Sequence, residues 1–160
     1  MIISHKYKFI FIKTAKTAGT SIEVFLSSLC GPTDIVTPIF PTIEGHEARN
    51  ETGFFNHIPA HAIREKIDPD CWKNYYKFCV ERNPWDKTLS FYHMQNFRRG
   101  GTLTFECFLA EKSFPINHTK YTEPNDSTAI IVDEILNYET LIDDLESVFK
   151  KLWVPFNGSL

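Results

Sequence analysis

The feature that most constrains this chain is a pair of short, mostly apolar runs, each leading through a polar turn into a helix. Tyr7-Lys8-Phe9-Ile10-Phe11-Ile12 and Tyr75-Tyr76-Lys77-Phe78-Cys79-Val80 are rich in aromatic and β-branched residues. A run that is apolar at consecutive positions must be covered on both faces, which is how buried strands of a parallel sheet read. After the first run, Lys13–Ser21 is small and polar with one glycine. Ile22 to Leu29 then carries apolar residues at helical spacing and stops near Gly31-Pro32. After the second, Asn83-Pro84 opens a helix reaching about Phe97. Asn is a preferred cap, Pro suits the first helical position, and Asp86 complements the positive end of the dipole.

The remaining segments are read the same way. Thr33–Phe55, with Pro38, Pro41, Gly45 and Gly53, is a loop-rich excursion. His57–Ile67 predicts a helix that Pro69 ends, and Thr104–Ala110 a short one. Glu111–Ser127 reads as a surface loop and Ile130–Leu136 as a third strand. Glu139–Leu152 is amphipathic, with Leu141, Leu145, Val148, Phe149 and Leu152 on its buried side. Strands alternating with helices predict an α/β class: one domain over residues 1–160, in three α/β/α layers around a central parallel sheet.

Composition excludes several functions. A net charge of −3 disfavours nucleic acid as a main partner, so any anion site must be local. No apolar run approaches the roughly 20 residues of a membrane span. No apolar segment precedes the first strand, so no secretion signal is expected. The four cysteines form no CxxC pair and Cys79 reads as a buried thiol, which fits a reducing, cytoplasmic setting. In that setting the N-x-[ST] sequons at Asn50, Asn117, Asn125 and Asn157 are chance matches. His5, His46, His93 and His118 have no metal-ligand spacing, and no metal is expected. No feature specifies an oligomer.

Two segments carry chemistry. In Lys13–Ser21, backbone N–H groups of a tight turn and the following helix N-terminus suit an anion. Gly19 allows close approach, Lys16 adds a charge, and Thr17, Thr20 and Ser21 add hydroxyls. The G-x-x-x-x-G-K-[ST] pattern of magnesium-nucleotide loops is absent. In the second segment, Arg82 ends a strand, where open α/β sheets bind ligands, and its fork matches a phosphate. Ser90 follows on the next helix.

Together, Lys16-Thr17-Ala18-Gly19-Thr20-Ser21 and Arg82-Asn83-Pro84-Trp85-Asp86 with Ser90 and Tyr92 resemble the two motifs of the sulfotransferases that use 3′-phosphoadenosine-5′-phosphosulfate (PAPS), closest to the carbohydrate-type branch. The resemblance implies a P-loop NTPase-like fold, PAPS as sulfuryl donor and 3′-phosphoadenosine 5′-phosphate (PAP) as product. It implies that Lys16 to Ser21, Ala18 included, line the 5′ site and that Arg82 and Ser90 hold the 3′-phosphate. One departure is Ala15, where the family often has Pro. Asn137-Tyr138-Glu139-Thr140-Leu141 with Asp144-Leu145 resembles the family's last strand-to-helix segment. Relatives often continue past the last helix, so a more open nucleotide site is expected here.

Sulfuryl transfer needs a base for the acceptor proton and positive charge on the leaving oxygen. Asn56-His57-Ile58-Pro59-Ala60-His61-Ala62-Ile63 resembles the family segment whose histidine faces the acceptor, which selects His57. His61, one helical turn on, is the alternative, and Glu44, Glu47 and Glu51 are carboxylate alternatives. Lys16 is the candidate electrophile. The expected partner is a small-molecule or oligosaccharide acceptor, its specificity set by Thr33–Phe55 and Arg98–Ser127. Phe54, Phe55, Tyr92 and Phe97 could floor its pocket, although core packing is the commoner use. The rivals are a nucleotide or small-molecule kinase and a PAP-binding protein without catalysis.

Overall fold

The computed structural model describes residues 1–160. It opens with a hairpin: β1 (Ile2–Ser4) pairs antiparallel with β2 (Phe9–Phe11), placing Ile2 opposite Phe11 and Ser4 opposite Phe9. Residues 5–8 make the turn, with Lys8 left-handed at φ 56°. β3 (Ile35–Val36) adds antiparallel to the outer side of β1. On the inner side, β2 pairs parallel with β4 (Tyr76–Glu81), and β4 pairs parallel with β7 (Glu134–Asn137). The strand order is β3-β1-β2-β4-β7. A separate antiparallel ribbon joins β5 (Thr122–Glu123) to β6 (Asp126–Ile130).

The sheet is therefore mixed, which corrects the expected central parallel sheet and P-loop NTPase-like fold. Two of its four pairings are antiparallel, and the separate ribbon adds a third antiparallel pair. The physical reason lies in connection length. A parallel neighbour requires a crossover of a dozen residues or more, whereas a four-residue turn joins only antiparallel neighbours. β1 and β3 are also too short to show a period in the sequence.

Side chains alternate across the sheet, as the pleat requires. Ile2, Phe9, Phe11, Phe78, Val80 and Leu136 meet Ile22 and Leu26 of α1 (Gly19–Leu29) and Leu141, Leu145, Val148 and Phe149 of α6 (Leu141–Lys151). Ile3, Ile10, Ile12 and Cys79 point the other way, toward Ile58, Tyr121, and Ala60 and Ile63 of α2 (Ala60–Arg64). Phe78 and Phe149 are fully buried, with ring centroids 6.3 Å apart. Burial of a side chain of this size is worth about 1.5–3 kcal/mol.

Several elements differ from the expectations. α2 is five residues long and leaves His57 outside it. Pro69 starts a helix, α3 (Pro69–Asn74), because the Asp68 carboxylate caps the N–H groups of Asp70 and Cys71. The expected strand over 130–136 divides between the end of β6 and β7. The expected surface loop contains β5 and a 3₁₀ turn at His118–Lys120. α4 (Pro84–Arg98) runs as expected, with Asn83 Oδ1 accepting from Trp85 N at 3.0 Å, and α5 spans Phe105–Ala110. All four cysteines are free, and no helix is long and apolar enough to cross a membrane.

Candidate functional site

A cavity of about 750 Å³ opens where β2 and β4 end. Its walls include Lys13–Ser21, Asn56, His57, Arg82, Ser90 and Tyr138. Lys16–Ser21, Arg82, Ser90 and His57 therefore border one space, whereas Asn83–Asp86 and Tyr92 of the second motif do not. The volume falls in the range of small-ligand pockets, about 300–1,000 Å³.

The loop after β2 is held from below. Thr14, 1% exposed, donates its hydroxyl to the Val80 carbonyl at 2.5 Å and lies 2.8 Å from the Thr17 hydroxyl. Thr17 is also buried, so its hydroxyl serves the loop and its contribution to the cavity is backbone. Lys16 and Ala18 are left-handed, at φ 62° and 58°, and Ala18 caps α1. Such conformations in non-glycine residues cost about 1–3 kcal/mol each and cluster at ligand clamps. Alternating handedness turns successive N–H groups to one side, making an anion-binding concavity. Gly19 has a reason other than the one expected: a Cβ there would sit 2.8 Å from Cγ of Lys13. Lys13 cannot move aside freely, since its Nζ lies 2.5 Å from Glu23 at a buried ion pair. Burial lowers the Lys13 pKa to about 8.

Arg82 stands beside this loop. Its Nη1 donates to the Lys16 carbonyl at 3.3 Å, and the guanidinium lies over the Tyr138 ring, 4.0 Å from the centroid. Its Nε is buried without a protein partner. Ser90, Met94 and Arg98 line the cavity at four-residue intervals along one face of α4. Lys16, Arg82 and Arg98 make no ion pair, and no carboxylate lines the cavity. Burial, then the charges of Arg82 and Arg98, lower the Lys16 pKa below the usual lysine value. Three unpaired cations facing one space favour an anionic ligand.

His57 borders the same cavity in a left-handed conformation, φ 60°. Its Nδ1 lies 3.1 Å from the Lys13 carbonyl. A carbonyl only accepts, so Nδ1 carries the proton and Nε2 holds the lone pair. Burial, then the charge of Lys13, lowers the His57 pKa to about 4, keeping the ring neutral near pH 7. His61 is on α2 and does not border the cavity, and neither do Glu44, Glu47 and Glu51. The protein has no cluster of three or more His, Cys, Asp or Glu arranged to hold a metal.

The expected aromatic floor is different in kind. Phe97 and Phe55 are 85% and 53% exposed, and Tyr92 packs on Phe105 and Phe108. The larger apolar side chains at the cavity are Ile39, Phe40, Phe91, Met94 and Tyr138. Arg98 was legible in principle, since Ser90 plus eight keeps the same helix face. Asn117 was not: it is 1% exposed and bonds the Ala15 backbone across 102 residues of sequence, and its burial also closes it to glycosylation.

No model of a known protein family matches the chain, and no solved structure matches it. A protein of Archaeoglobus fulgidus, described as an uncharacterized protein, is 35% identical over 101 residues, which cover 61% of this chain and 84% of the archaeal one. That identity and coverage show common membership: the chain belongs to the same family as this archaeal protein.

Proposed function

We propose that this protein is a sulfotransferase that moves the sulfuryl group of PAPS onto a hydroxyl, with a carbohydrate as the acceptor class. The observation that carries the reading is the meeting of two sequence-distant anion segments, Lys16–Ser21 and Arg82 with Ser90, on one cavity that holds no carboxylate. A nucleotide phosphorylated at both its 5′ and 3′ positions has charge for both. The local strand–loop–helix geometry supplies this, whichever way the outer strands run.

In the reaction, the acceptor oxygen attacks sulfur in line with the bridging oxygen of the 5′-phosphosulfate. The S–O bond to that bridging oxygen breaks, and its electron pair stays on the phosphate of PAP. Lys16 stabilises the charge developing there. The acceptor proton passes to Nε2 of His57, whose tautomer is set by the Lys13 carbonyl. Bringing the anionic donor close to His57 raises its pKa from the low value set by burial and Lys13, so the base strengthens as the donor binds. Arg82 and Ser90 hold the 3′-phosphate, and Ile39 and Phe40 bring the Thr33–Phe55 excursion to the acceptor side. The four free thiols suit a reducing, cytoplasmic setting.

The test is transfer of labelled sulfate from PAPS to a panel of sugars and small hydroxyl compounds, with wild type and Lys16→Ala. Transfer that collapses in the variant supports the reading, and equal transfer in both refutes the role of Lys16. Thermal shift by Mg-ATP but not by PAP would favour a kinase. PAP binding without transfer to any acceptor would favour a binding protein.

A further inference from the structure

We infer that Asn117 is a positioning residue that fixes the anion loop from behind and so sets affinity for the 5′ end of the nucleotide. The inference rests on the nucleotide reading of the cavity. Asn117 is almost fully buried, and its amide engages both polar groups of a single residue of the loop. Oδ1 accepts from Ala15 N at 2.9 Å, and Nδ2 donates to the Ala15 carbonyl at 3.1 Å. These partners fix the amide orientation, because an N–H only donates and a carbonyl only accepts. Nδ2 also lies 3.2 Å from Glu81 Oε1. That carboxylate is held independently by Lys87 Nζ at 2.7 Å, Arg82 N at 2.9 Å and the Tyr121 hydroxyl at 3.2 Å.

The clamped residue immediately precedes Lys16, the first of the two left-handed residues of the loop. Such backbone persists only where its surroundings fix it. Asn117 supplies that constraint on one side, and the Thr14–Thr17 pair supplies it on the other. Without the clamp, the N–H groups of Lys16 to Ser21 must be ordered by the ligand at the moment of binding, which weakens it. Glu81, which accepts from Arg82 N, keeps Lys87 and Tyr121, and the Arg82 guanidinium keeps the Tyr138 ring, so the 3′ end is spared.

Calorimetry at fixed ionic strength on wild type and Asn117→Ala, with PAP and with 3′-AMP, tests this. 3′-AMP keeps the 3′-phosphate and lacks the 5′ one. The variant should bind PAP about tenfold more weakly and 3′-AMP within about twofold of wild type. Equal losses for both ligands would mark Asn117 as structural only, and no loss for PAP would remove it altogether. A wild type that binds neither nucleotide would overturn the nucleotide reading, and this inference with it. Amide hydrogen exchange on wild type needs no substitution. The Ala15 amide should be protected in the free protein and unchanged by PAP, while amides of Lys16 to Ser21 slow on binding. A freely exchanging Ala15 amide would overturn the clamp.

Discussion

Replacing Arg82 by alanine isolates the second anion segment. In the structure this side chain has two internal contacts, the Lys16 carbonyl and the Tyr138 ring, while its buried Nε has no protein partner. A ligand phosphate would complete it. Hydrogen bonds to a charged group are worth about 1.5–3 kcal/mol, so losing this one should weaken PAP by about 10- to 150-fold. Losing the contact with Tyr138 removes about 0.5–1 kcal/mol of stability, a fall in Tm of a few degrees for a domain of this size. Calorimetry with PAP and with AMP separates the two effects, since AMP carries only the 5′-phosphate. Ionic strength must be held constant, because screening changes any charged contact. PAP should weaken while AMP holds, and Arg82→Lys should fall between, keeping charge but losing the fork. Unchanged PAP affinity, or equal losses for PAP and AMP, would refute the assignment of the 3′ site.

Three further outcomes follow from the geometry. His57→Gln removes the lone pair and should lower transfer by about 10²- to 10⁴-fold while leaving PAP affinity near wild type; in wild type, kcat/KM for PAPS should stay flat as pH falls from 8 to about 5.5, and a decline centred near 6.5 would show that His57 is not held neutral. The lowered His57 pKa also makes stability depend on pH: between about 4 and 6.5 the unfolded chain binds the extra proton, so stability rises with pH across that window and is lost on acidification, by at most about 3 kcal/mol. Urea titrations at pH 4.5 and 7 should show this slope in wild type and its reduction in His57→Gln. Gly19→Ala pushes a methyl group against the pinned stem of Lys13 and should cost about 1–3 kcal/mol in thermal unfolding; an unchanged Tm would show that Lys13 can move.

The central elements were legible because they announce themselves locally. β2 and β4 are apolar at consecutive positions, and α4 carries its own cap in Asn83-Pro84. α6 repeats leucine and valine at helical spacing. The edge of the sheet was not legible: Ile2-Ile3-Ser4 becomes a strand by pairing with Phe9–Phe11, Ile35-Val36 by pairing with Ile2-Ile3, and neither has length enough to show a period. That omission turned a mixed sheet into an expected parallel one. Asp68-Pro69 carries a start signal that was read as a stop, since proline serves both ends of helices. At the site, Lys16, Arg82 and Ser90 were singled out by residue type and position together with the family resemblance, and His57 by the resemblance; all four border one cavity. Asn117, Tyr138 and the ion pair of Lys13 with Glu23 act through partners far away in sequence, where no periodicity points.

The anion segments leave the sheet from neighbouring rungs of one ladder. Ile12 N bonds the Phe78 carbonyl at 2.9 Å, and the Thr14 hydroxyl bonds Val80 just beyond it. Adjacent strands stand about 4.8 Å apart whatever their side chains, so main-chain pairing works as a gauge for how far apart the two anion segments leave the sheet. Drift in the outer segments 33–55 and 98–127 can reshape what else enters without recalibrating that gauge. On the proposed two-anion reading, that fixed spacing selects compounds by the separation of their anionic groups.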